Sequence, residues 1–425
     1  MTAAYREKLQ RLKNILEVDD VISLEALREI CATGIPDEER FRPLCWRLLL
    51  DYLPLKRSEW DEYVKREREV YATLVTDLIA KPGTQPEEEE TATDHPLNPN
   101  PSSAWSVFFK DNEMLLQIDK DVRRLCPEIS FFQQPTEFPC AAAVMPDGKM
   151  VYLCDRVENI ILEAKEFKQE RTGTTNLVSS RRKVAASEYK SLSRDGQEAH
   201  WQVVERILFI YSKLNPGVKY VQGMNEVIGP IYYVFASDPE ESWRSGAEAD
   251  TFYCFQNLMS EIKDGFIKTL DSSSVGIEST MSQLYELLKA RDPRLYRHLS
   301  STLSLLPQYY AFRWLSLLLS QEFLLPDLIR IWDSLFSDAK RFEFLLFVCL
   351  AMLINARDNL IDKDFSTCMK LLQNYPSTDI AALVVLATKL RQEDYKLEDD
   401  SPLPKNSRPS LLSHLTTSLK SSSNS

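Results

Sequence analysis

Apolar residues recur along most of this chain at steps of three and four, the spacing of one helix face. Tyr5, Leu9, Leu12 and Leu16 make such a stripe at the start. Ser23 is placed to cap a second helix carrying Leu24, Leu27 and Ile30, and Gly34 to end it. A third helix is predicted from about Pro43, tolerable in a first turn, to a stop at Pro54. Ser58 is placed to open a longer one with Trp60, Val64, Tyr71, Leu74 and Leu78 on its apolar side. Asp111 or Asn112 starts a helix through Met114, Leu115, Ile118 and Val122, limited by Pro127. Another is predicted from about Gln197 to Leu214, with Val203, Ile207 and Ile210 on one side. Helical patterns continue past 220, with breaks near Pro230, Pro239, Pro293, Pro307 and Pro326, to about Arg391. The longest apolar run, Phe344–Ile354, falls short of the ~20 residues a membrane span needs and predicts a buried core helix.

Three stretches break the pattern. Residues 82–103 hold the acidic run Glu87 to Glu90 and then Pro96, Pro99 and Pro101, which predicts an exposed, mobile loop. Residues 165–196 are polar and mixed in charge, with Arg181-Arg182-Lys183 inside, and read as an insert. Residues 394–425, rich in Ser, Lys and Pro, read as a disordered tail. The one strand signal is Pro146-Asp147-Gly148 between two apolar runs, which admits a small hairpin over 141–153. No fixed-period repeat is present, which argues against a helical solenoid.

Composition supports an all-α class. There are 11 glycines in 425 residues, well under the average of roughly 7%, so material for tight turns and phosphate loops is scarce. The formal charge of −12 argues against nucleic-acid binding, which Lys and Arg carry. The opening residues, with Arg6, Glu7 and Lys8 and no apolar stretch, do not read as a secretory leader. The eight cysteines are scattered with no C-x-x-C pair, the pattern of reduced thiols in a cytoplasmic protein. The four histidines are far apart, so neither a metal centre nor a histidine relay is indicated.

Two segments can carry chemistry. In the first, Ile118, Asp121 and Arg124 fall at steps of three, on or just beyond one helix face, with Pro127 following. An arginine there can project into a groove; the plainer reading is a surface ion pair of little worth. The second is Tyr220-Val221-Gln222-Gly223-Met224-Asn225. Gln222 offers a donor and an acceptor, as orienting a water requires, and Gly223 removes a side chain where something can approach closely. The plainer reading is a loop-to-helix junction with Asn225 as cap.

Together these segments resemble the TBC-domain GTPase-activating proteins that act on Rab GTPases. That family carries I-x-x-D-x-x-R and, downstream, Y-x-Q, here Ile118/Asp121/Arg124 and Tyr220/Gln222. Gly34-Ile35-Pro36 with Arg42 and Trp46 is similar to its opening signature, and Arg313-Trp314-Leu315 and Ile331-Trp332-Asp333 to its closing ones. Leu125 and Cys126 depart from the threonine and aromatic common in the family, and the insert lengthens the stretch between the motifs. The resemblance spans about 32–345, leaving 1–31 as a helical extension and 346–393 as further helices packed on the domain.

The resemblance implies a V-shaped all-α fold of two helical subdomains with the catalytic groove between them. It implies that Arg124 and Gln222 act in trans on a GTP-bound Rab, one as an arginine finger and the other orienting water. Asp121 would position the arginine, Ile118 and Tyr220 would mainly pack, and Trp46, Trp314 and Trp332 would anchor the core. The chain has no G-x-x-x-x-G-K-[ST] loop, so no cofactor of its own is expected; GTP and Mg²⁺ belong to the Rab. A cytoplasmic protein reaching membranes through its Rab, in vesicle trafficking, follows. The alternative is a Rab-binding scaffold of the same fold without catalysis; degenerate family members typically lose the arginine or glutamine, and both are present here.

Overall fold

The computed structural model describes residues 3–37, 40–80, 104–144, 150–157, 197–263 and 276–392. The loop at 82–103, the insert at 165–196, the tail and the Pro146-Asp147-Gly148 turn lie outside them. Among the described residues thirteen helices have eight residues or more: α1 Ala3–Lys13, α2 Leu24–Cys31, α3 Phe41–Leu49, α4 Trp60–Val75, α5 Ala104–Val122, α6 His200–Leu214, α7 Met224–Ala236, α8 Ala247–Ile262, α9 Ile277–Arg291, α10 Leu325–Ser337, α11 Arg341–Asn355, α12 Phe365–Gln373 and α13 Ile380–Arg391. Among the described residues there is no strand, only isolated bridges.

Several boundaries follow from local chemistry. The Ser23 hydroxyl accepts the Ala26 N–H at 3.3 Å and opens α2. Gly34, at φ +91°, carries the chain away from its end. Pro293, Pro307 and Pro326 each sit in the first turn of a helical segment, where the missing N–H costs nothing. Four expectations change. Ser58 lies in a 3-10 turn before α4, because its N–H and hydroxyl are committed to the Asp20 carboxylate. Asp111 and Asn112 are mid-helix in α5, bonded to Lys213 at 2.7 Å and Arg156 at 2.8 Å rather than capping. Pro230 lies inside α7, where burial along almost the whole helix outweighs the lost backbone bond. Of the hairpin over 141–153, Ala141–Ala143 is a 3-10 turn, and a lone Val144–Met150 bridge is what joins the flanks.

The described chain forms two compact units. The first holds the residues up to Ile277 and takes in Arg313–Ala339; the second holds Glu278–Phe312 and the chain from Lys340 onward. In the second, α11 is buried on nearly every side and packs along α13, as its apolar run predicts. Asp292 there accepts Leu295 N–H at 3.0 Å and Arg357 Nε at 2.7 Å.

In the first unit, α7 and α8 pack together with α5 and α6 beside them. Its opening and closing signatures meet at one buried carboxylate. Asp333 accepts from Ile35 N–H at 2.9 Å, Arg42 Nε at 3.1 Å and Trp46 Nε1 at 2.9 Å. Trp46, Trp314 and Trp332 are fully buried, as core anchors should be. No helix among the described residues is long and apolar enough to cross a membrane.

Candidate functional site

The end of α5 sets the geometry. Ile118 is fully buried and Asp121 is 7% exposed, so both face inward. The helix tightens after Val122: Arg124 N–H bonds Asp121 O and Leu125 N–H bonds Val122 O, each at 3.1 Å. Leu125 is buried and fills the space where Gly229 of α7 lacks a side chain; a Cβ there would stand 2.7 Å from Leu125 Cδ1. Cys126 turns the chain at φ +38°. Arg124 therefore leaves the helix on an anchored turn with its side chain half exposed. Its Nε donates to Lys120 O at 2.8 Å and its Nη2 to Asp121 Oδ1 at 3.1 Å.

The neighbouring Arg123 is committed elsewhere. Its Nε bonds both Asp119 oxygens, at 2.9 and 3.0 Å, and its guanidinium lies 4.5 Å over the Trp201 ring.

The second motif precedes α7. Gly223 begins that helix at φ +105°, which a side chain would strain, and an added Cβ would stand 2.5 Å from Leu317 Cδ2. Gln222 is exposed. Tyr220 is buried, and its hydroxyl donates to Asp121 Oδ2 at 2.9 Å. Asn225 Nδ2 donates to Asp121 O at 3.3 Å. Tyr220 thus does more than pack: it ties one motif to the other. Asn225 is not a cap but a second tie. Burial raises the Asp121 carboxyl above its ordinary range; the Tyr220 hydrogen bond and the Arg124 charge pull it back down. Burial and Asp121 together push the Tyr220 hydroxyl well above the usual phenol range.

Asp121, Arg124, Gln222, Gly223, Asn225, Glu226, Leu317 and Gln321 line one cleft of about 40 Å³, all within the first unit. That is little more than one water and far below the roughly 300 Å³ at which small-molecule pockets begin. The cleft cannot enclose a substrate; its arginine and glutamine can serve a substrate that another protein brings. Asn225 was visible within the second motif, but Leu317 and Gln321 carry no sequence signal toward this site. No group of three or more His, Cys, Asp or Glu placed to hold a metal occurs among the described residues.

Comparison with known proteins gives a consistent match. The Rab-GTPase-TBC domain family matches residues 181–361, a stretch that includes Tyr220 and Gln222 and starts beyond Arg124. TBC1 domain family member 13 of mouse and of human are each 50% identical over 400 residues, covering 92% of this chain and 99% of theirs. The crystal structure of the Ypt/Rab-GAP domain of Gyp1p superposes with a TM-score of 0.61 at 22% identity, over 90% of this chain and 97% of that one.

Proposed function

The chain belongs to the Rab-GTPase-TBC domain family, and from that premise we propose that it accelerates GTP hydrolysis on a Rab GTPase with Arg124 and Gln222 supplied in trans. The observation that carries this is the Tyr220–Asp121 hydrogen bond, which fastens the two motifs so that both side chains line one cleft.

Each group has a defined task. Slow intrinsic hydrolysis leaves charge on the transferring phosphoryl unstabilised and the attacking water unfixed. The planar, permanently charged fork of Arg124 can bond two oxygens at once. In Ras-type systems an arginine delivered in this way is worth roughly 10³–10⁵ in rate. Gln222 can accept from the water and donate to the phosphate. Asp121 holds Arg124 in its waiting position. GTP and Mg²⁺ arrive with the GTP-bound Rab, which also brings the protein to its membrane and so to vesicle traffic.

Single-turnover hydrolysis by a panel of GTP-loaded Rabs, with wild type, Arg124→Lys and Gln222→Ala in parallel, tests the reading. Acceleration of one or a few Rabs, lost in both variants, is expected. Binding without acceleration refutes it in favour of a scaffold, and acceleration that survives Arg124→Lys refutes the part given to Arg124.

A further inference from the structure

Gln321 reaches the cleft from the loop between Ser316 and α10, far in sequence from either motif. Its side chain is partly buried, and its carbonyl Oε1 is sealed from solvent without a hydrogen-bond partner among the described residues. A buried unpaired acceptor costs stability, so a fold that keeps one at its site invites a reason.

The loop is fixed on both sides of Gln321. Leu318 and Leu319 both lie at positive φ, +51° and +67°, a conformation leucine adopts only when its surroundings impose it. Leu319 N–H bonds Trp314 O at 2.9 Å, Trp332 Nε1 bonds Leu318 O at 2.9 Å, and Arg313 Nε bonds Glu322 Oε1 at 2.6 Å. Leu317 of this loop packs where Gly223 has no side chain, next to Gln222.

We infer that Gln321 is a positioning residue for Gln222: its Oε1 accepts one of the two N–H bonds of the Gln222 carboxamide when a GTPase seats on the cleft. The inference rests on the proposed function. A carboxamide turns easily about its last torsion, and its oxygen and nitrogen ends are alike in size. If one N–H is held by Gln321, the carbonyl oxygen is fixed toward the water and the second N–H is left for the phosphate.

The test uses single-turnover hydrolysis with a responsive GTP-loaded Rab, varying the concentration of wild type, Gln321→Met, Gln222→Ala and the double variant, with a melting temperature for each. Methionine keeps the length and removes the acceptor. Gln321→Met should lower the maximal rate about tenfold with half-saturation unchanged. The double variant should be no slower than Gln222→Ala alone. The melting temperature of Gln321→Met should equal or exceed that of wild type, since a sealed unpaired acceptor has gone. Wild-type rates in Gln321→Met, with Gln222→Ala impaired, overturn the inference and leave the proposed function standing. A rate loss that tracks a fallen melting temperature, or a double variant slower than Gln222→Ala, also overturns it. No acceleration by wild type on any Rab overturns both.

Discussion

Tyr220→Phe removes a single oxygen from the joint between the motifs. Asp121 is almost wholly buried; its Oδ2 accepts from Tyr220 at 2.9 Å and its Oδ1 from Arg124 at 3.1 Å. Arg124 is half exposed, so its pairing is screened and worth at most about 1 kcal/mol. The tyrosine bond is inside and charge-assisted, worth about 1.5–3 kcal/mol. Its loss leaves a buried carboxylate oxygen bare and lets the Asp121 carboxyl climb further, since that bond is the foremost effect opposing burial. A carboxyl raised in the fold contributes stability that is complete below its unfolded pKa, near 3.9, and is lost as pH rises through the folded value. The deficit of Tyr220→Phe should therefore be small near pH 4 and grow toward neutrality. At pH 7 it corresponds to a fall in melting temperature of about 2–5 °C. Hydrolysis should fall by about tenfold, less than for Arg124→Lys, because the arginine remains and only its tether is loosened. Thermal unfolding at pH 5, 6 and 7 checks this. A loss under about 1 °C at pH 7, or a deficit larger at pH 5 than at pH 7, refutes the reasoning.

Gly223→Ala should destabilise by about 2–4 kcal/mol, joining the cost of positive φ to a Cβ 2.5 Å from Leu317; Gly217→Ala, where a Cβ meets nothing within 4 Å, should be near neutral. Equal melting temperatures for the two variants would sink that argument. Glu205 is 1% exposed, neither of its oxygens meets a donor among the described residues, and burial with the nearby Asp119 charge pushes its carboxyl well above the ordinary range. A carboxyl raised in the fold gives stability that is full below an unfolded pKa near 4.3 and is lost as pH rises toward the folded value, by up to about 1.4 kcal/mol per pH unit for that one proton. Glu205→Gln should remove this slope and raise the melting temperature at neutral pH; wild-type and variant curves that run parallel from pH 5 to 8 would contradict it.

The helices were legible because a 3.6-residue period survives in one dimension, and Ser23 marked its boundary because capping is local. Where the expectations failed, a distant partner had claimed the residue. Ser58 looks like a cap until Asp20 takes its N–H, and Asp111 looks like a helix start until Lys213 takes its carboxylate. Pro230 looks like a break until packing around α7 outweighs one missing bond. The site divides in the same way. Arg124 and Gln222 stand in short motifs whose spacing is itself the signal. The part of Gln321 depends on two left-handed leucines and a tryptophan bond to their backbone, which no local pattern encodes.

Buried aspartates are what join the separated signatures. A carboxylate only accepts, and its two oxygens offer about four positions, so one side chain can collect donors from elements far apart in sequence. Asp333 does this for Ile35, Arg42 and Trp46, and Asp121 does it for Arg124 and Tyr220. Asp250 does it for Arg47, Tyr52 and Arg68. Removing one donor from such a centre leaves the charge buried and underpaired, so the arrangement penalises alternatives more than it rewards itself. On the proposed function, Arg124 has to wait in one position for a partner that supplies the rest of the active site. An anchor costly to leave half-made suits that task better than an apolar contact, which tolerates repacking and would let Arg124 drift.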